Sequence, residues 1–163
     1  MLSIRTILHP TDFSDFSAYA FQLACSLARD HGARLLVVHV IPEPRVPMGG
    51  VMTPPPAEEY AEAKEKLEQI KARHPKIRLQ RRLLVGDPVR EICRLAKKWK
   101  TGLIVMGTHG RTELNRFLVG SVAEQVIRKA PWPVLTVRSP LRIVRRRRGS
   151  RLRYHRTSVQ VGV

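Results

Sequence analysis

Three glycines and a serine carry the spacing of a phosphate cradle. Gly107-Thr108-His109-Gly110 is followed, after nine intervening residues, by Gly120-Ser121. The apolar run Leu103 to Met106 precedes this pattern, and a helix-like stretch from Val122 to Ala130 follows it. Glycine lets backbone approach a ligand closely and tolerates positive φ. Free N–H groups at a helix start, aligned with the macrodipole, favour anions. A strand that feeds a glycine loop ending at a helix with a hydroxyl therefore points to bound phosphate, and first to a nucleotide. The same residues also have a purely conformational use. The glycines can serve turn geometry, and Ser121-Val122-Ala123-Glu124 reads as a capping box. A cap hydroxyl can still turn to a phosphate, so spacing alone leaves both uses open.

The elements that must position this loop follow from hydrophobic periodicity and punctuation. Ile4 to Leu8 reads as a strand, and Ser14 to His31 as a helix with Leu23, Ala24, Leu27 and Ala28 as its apolar stripe and Gly32 as its stop. Leu35 to Ile41 is a β-branched run suited to burial on both faces. Pro42 to Pro56 is a Pro- and Gly-rich loop, whose Met48, Val51 and Met52 could cover a bound base. A second helix is expected from Ala57 to Arg73, with Tyr60, Leu67 and Ile70 inward. A polar edge strand is expected at Leu79 to Val85. Asp87 and Pro88 read as N-cap and first residue of a third helix, with Ile92, Leu95, Ala96 and Trp99 buried. Strands at 103–106 and 133–138 flank a fourth helix at 122–130.

This alternation predicts an α/β fold: a doubly wound five-stranded parallel sheet in the flavodoxin-like order 3-2-1-4-5, with helices on both faces. Ligands of such sheets bind beyond the carboxyl ends of the strands where strand order reverses, here between strands 1 and 4. Pro10, Thr11 and Asp12 follow strand 1; Met106 and Gly107 end strand 4. Asp12 would meet a ribose or help hold a metal, or serve only as the N-cap of the first helix, a role also open to Ser14; the backbone of Val40, at the end of strand 2, would meet a purine edge. His109 and Arg111 are either solvated loop residues or groups that stabilise phosphate charge. His39 reads as a hydrogen-bonded core histidine, Asp87 as a cap, and Trp99 and Trp132 as packing residues.

Pro10-Thr11-Asp12-Phe13-Ser14, Val38-His39-Val40, Gly86-Asp87-Pro88 and the Gly107 to Ser121 pattern together resemble the universal stress protein family over residues 1–138. The glycine pattern is similar to that of the family's ATP-binding branch. The resemblance implies ATP between strands 1 and 4, with Mg²⁺ held mainly by the phosphates. It implies Asp12 near ribose or metal, Val40 by the adenine, and Gly107, Gly110, Gly120, Ser121 and Val122 on ribose and phosphates. It also implies a homodimer, often formed through residues 133–138; the protein is expected to be cytoplasmic. Trp132 is bulkier than the pattern, and the arginine-rich tail is foreign to it.

Composition sets the remaining bounds. The chain has 163 residues and 43% hydrophobic content, enough for one domain with a core. Its apolar runs are too short to span a bilayer, and no secretory signal is visible. Cys25 and Cys93 read as inward thiols of a reducing compartment, and the six histidines lack metal-ligand spacing. Net charge is +17, of which residues 139–163 hold +8 from eight arginines. Arg142 to Arg156 is read either as a flexible solvated extension or as a contact for a polyanion such as nucleic acid. Val159, Val161 and Val163 alternate, a pattern that could add a strand to an edge. No nucleophile–base pair or paired carboxylates accompany the glycine loop, so hydrolysis is expected to be slow or absent. The leading expectation is an ATP-dependent regulatory switch of the stress response. A polyanion-binding adaptor acting through the tail and a slow ATP hydrolase are the alternatives.

Overall fold

The computed structural model describes residues 4–43, 55–108, 120–138 and 159–162. Their elements are β1 (Thr6–Pro10), α1 (Asp15–His31), β2 (Arg34–Pro42), α2 (Ala57–Gln69), β3 (Arg78–Gly86), α3 (Pro88–Lys98), β4 (Leu103–Gly107), α4 (Ser121–Lys129), β5 (Val134–Val137) and β6 (Val159–Gly162). The sheet order is β3-β2-β1-β4-β5-β6. The first five strands are parallel, in the expected order 3-2-1-4-5, and β6 adds an antiparallel strand outside β5.

Each face of the sheet has its own core. Leu8, Leu36, Val38 and Ile104 pack against α3 and α4. Ile7, Leu35, Val37 and Val105 pack against α1 and α2. Alternate residues of one strand thus serve opposite layers, which explains why β2 is apolar throughout. The helix boundaries have local causes. Ser14 caps α1 by accepting from the Ser17 N–H, and Gly32 ends it at φ 61°. Asp87 caps α3 by accepting from the Arg90 N–H at 2.7 Å, with Pro88 at the first helical position.

Several sequence expectations need correction. β1 runs two residues later than the apolar run suggests, because His9 and Pro10 pair with Val37 and Val38. The buried face of α1 is Ser17, Ala20, Ala24 and Ala28, while Leu23 and Leu27 are only partly buried. Small residues let this helix lie close to β4. A Cβ on Gly107 would come 3.0 Å from the Phe16 carbonyl carbon, so this glycine is needed for the close contact of α1 with β4. α2 stops at Gln69 because Ile70 turns extended (φ −68°, ψ 115°) and the Arg81 guanidinium takes its carbonyl. The buried seam of α2 is Ala63 and Leu67, with Ile70 beyond its end, and leaves Tyr60 in the first turn 43% exposed. Cys25 and Cys93 are free and only partly buried.

Candidate functional site

The crevice forms where the topology requires it. A cavity of about 380 Å³ is lined by Pro10, Thr11 and Asp12 after β1, by Val40 on β2, by Met106 and Gly107 on β4, and by Gly120, Ser121 and Val122 at the start of α4. Nine of the twelve residues singled out in the sequence thus share one cavity; His109, Gly110 and Arg111 lie outside the described residues. Met48, Val51, Met52, the arginines of 142–156 and Val163 do so as well.

The loop after β1 is held from several directions. The Thr11 N–H donates to the Val38 carbonyl at 2.8 Å, and the Thr11 carbonyl accepts from His39 Nδ1 at 2.7 Å. Thr11 Oγ1 accepts from the Phe13 N–H at 3.1 Å and from the Ser17 hydroxyl at 2.7 Å. Phe13 sits at φ 65°, its ring packed against that of His39 at 4.3 Å between centroids and tilted by 37°. His39 is therefore the hydrogen-bonded core histidine expected. Asp12 Oδ1 accepts from the Ser14 N–H at 3.0 Å and the Ser14 hydroxyl at 2.6 Å. Asp12 thus braces the residue that caps α1 and does not cap the helix itself.

Beneath this loop lies His9, fully buried. A carbonyl can only accept, so Nδ1 carries the proton in the 2.8 Å contact with Val105. Nε2 then faces the Ser17 hydroxyl at 3.5 Å. Burial pushes the imidazole down to about 4, against the opposing pull of the Val105 carbonyl and the Asp12 charge. The β1 sequence shows a histidine, but only the long-range pairing to β4 reveals that it is a neutral core residue.

On the other wall, the Thr108 N–H donates to the Val137 carbonyl at 3.0 Å, and the Gly120 N–H donates to the Thr108 carbonyl at 2.5 Å. Residues 108 and 120 therefore meet at the neck of the glycine loop. Gly120, not Ser121, is the N-cap of α4, and among the described residues no side chain caps it. This corrects the capping-box reading: Ser121 is the first helical residue. The first-turn N–H groups of a helix have no intrahelical partners, and here they open onto the cavity. That is a fit for an anion. Glu59, Pro88 and Ile92 also line the cavity. Sequence reasoning missed them because it followed the loops after strands and left out the helices that wall the crevice. Among the described residues, no group of three His, Cys, Asp or Glu side chains could hold a metal, and no helix is long and apolar enough to cross a membrane.

A doubly wound sheet with a crevice at its switch point defines a flavodoxin-like α/β protein. Comparison with known proteins narrows the class. The universal stress protein family model matches residues 3–138. The universal stress protein MJ0531 of Methanocaldococcus jannaschii is 37% identical over 142 residues, covering 83% of each chain. Among solved structures, that of the hypothetical protein MJ0577 has a TM-score of 0.68 at 31% identity, covering 82% of this chain and 95% of that one. A universal stress protein from Archaeoglobus fulgidus, solved in complex with dAMP, has a TM-score of 0.62 at 30% identity, covering 83% and 98%. The chain belongs to the universal stress protein family.

Proposed function

We propose that this protein binds ATP in the crevice between β1 and β4 and acts as a nucleotide-dependent regulator of a stress response in the cytoplasm. The observation that carries this reading is the uncapped N-terminus of α4 opening onto a cavity lined by Asp12 and Val40. A relative of the same fold holds dAMP, which supports an adenine nucleotide. The first-turn N–H groups of α4 and the Ser121 hydroxyl would hold phosphate, Asp12 the ribose side, and the Val40 backbone the base. The carboxylates of Asp12 and Glu59 favour entry of the phosphates with Mg²⁺, which the phosphates themselves would mainly hold. His9 is neutral and buried, and its Nδ1 proton is committed to Val105. It is not placed to activate water, and slow or absent hydrolysis is part of this proposal.

The homodimer through residues 133–138 is part of this proposal, with a condition. The outer edge of β5 is paired to β6 from Val134↔Gly162 to Val137↔Val159. A second copy can use that edge only after β6 leaves it.

Thermal unfolding with and without nucleotide tests the binding. ATP with Mg²⁺ at 100 times its Kd should add about 2.7 kcal/mol of stability, while GTP should add much less. Equal shifts with both, or none with either, would overturn the assignment to adenine nucleotide.

A further inference from the structure

The positive charge of residues 1–138 is concentrated in one segment of the sequence. Residues 1–138 carry +9, and the segment 71–100 alone holds eleven Lys and Arg against two acids, which is also +9. The remainder of that span is neutral in sum. Segment 71–100 comprises β3, α3 and the turns beside them, at the end of the sheet.

Both acids in the segment are already committed. Asp87 caps α3, and Glu91, which is buried, is paired with Arg94 and lies 3.6 Å from Arg90. Among the described residues, the cations on the α3 face of β3 have no carboxylate partner; Arg78 donates to the Gly32 carbonyl at 3.0 Å and Arg82 to the Arg81 carbonyl at 2.8 Å. Arg34 and Arg78 are register partners on β2 and β3, and Arg82 stands opposite Val38 on the same face. Arg34 and Arg82 both lie over the Trp99 ring, at 5.4 and 5.3 Å. Lys98 is exposed beside Trp99. Trp99 follows the C-terminus of α3, so the cluster lies toward the amino ends of the parallel strands, away from the nucleotide crevice.

We propose that this face is a binding surface for single-stranded nucleic acid. Guanidinium groups take backbone phosphates, and their planes can also stack on bases; Trp99, half-buried against the core beneath Arg34 and Arg82, holds these two groups side by side and reports on their surroundings. An anionic membrane would attract the same cations, but interfacial binding also draws on buried apolar area, which this face does not supply among the described residues. The exposed large hydrophobic among the described residues is Tyr60, on α2 at the opposite face of the sheet. The surface is distinct from the crevice of the ATP reading, and none of its residues belongs to 139–163.

Trp99 provides the test. Trp132→Phe in the full chain leaves Trp99 as the single tryptophan. Titration with a 30-nucleotide oligo-dT should quench its emission. The further substitutions Arg78→Gln, Arg82→Gln and Lys98→Gln should weaken binding more than tenfold at low salt. They should also lower the slope of log K against log salt by about 2, for three lost contacts on a single strand. Circular dichroism and ATP binding, unchanged in the variant, would show that the fold and the crevice survive. Binding that leaves Trp99 emission and the salt slope untouched assigns nucleic acid to the tail and overturns the proposal. Equal quenching by phosphatidylglycerol vesicles, lost in the same variant, overturns it in favour of a membrane.

Discussion

Protonation of His9 should set the acid limit of this fold. The imidazole is fully buried, donates from Nδ1 to the Val105 carbonyl, and is held down to about 4 by burial. In the unfolded chain it returns to the ordinary value of 6.5. As pH falls, the unfolded chain therefore binds the proton first, and folding stability drops. This contribution is fully present above pH 6.5 and is lost progressively down to about pH 4. At about 1.4 kcal/mol per pH unit, the gap is worth about 3 kcal/mol, a large share of a domain's stability. Urea unfolding at pH 7.5, 6, 5 and 4.5, with wild type and His9→Asn compared, isolates the term. Asparagine keeps a donor for Val105 and does not titrate, so carboxylate effects cancel in the difference. The variant should be less stable at pH 7.5 and close most of the gap by pH 4.5. A difference that stays constant across this range would refute the reasoning.

Three further outcomes follow from the packing. Gly107→Ala places a methyl 3.0 Å from the Phe16 backbone, so it should cost about 1–3 kcal/mol in thermal or urea unfolding; no loss would mean α1 moves away freely. Burial raises the Cys25 thiol to about 11, so at neutral pH it should hold about 100-fold less thiolate than an ordinary cysteine and react slowly with iodoacetamide; rapid labelling in the folded protein would contradict this. Val161→Pro should weaken the β5–β6 ladder and raise the dimer fraction in light scattering, whereas an unchanged mass would separate dimer formation from this edge.

Much of the fold was legible because local signals agreed with one another. Asp87-Pro88 and Gly32 punctuate helices by backbone rules that need no tertiary context, and both act as read. The β-branched run of β2 declared burial on both faces, and the polar β3 declared an edge. The switch-point argument then brought residues from four elements to one cavity without any knowledge of side-chain contacts. What stayed hidden depends on which parts of the chain pack together. Tyr60 shares the apolar character of Leu67, and only the position of the α2 seam leaves it exposed. Ser121 carries the residue types of a capping box, but the Gly120–Thr108 hydrogen bond starts the helix one residue earlier. The clustering of Arg34 and Arg82 on Trp99 joins three elements and has no periodic signature.

Nucleotide binding at the start of α4 is the central claim, and Gly120→Val tests it most directly. Gly120 sits at φ −57° and ψ 145°, a conformation open to valine, so the backbone should tolerate the change at a cost of about 1 kcal/mol. The added isopropyl group would stand at the cavity wall where phosphate approaches the helix. Calorimetric titration of ATP with Mg²⁺ should show micromolar binding to the wild type and at least a tenfold loss in the folded variant. Equal affinity in both, or no binding by the folded wild type, would contradict the cradle and leave Gly120 a residue of turn geometry alone.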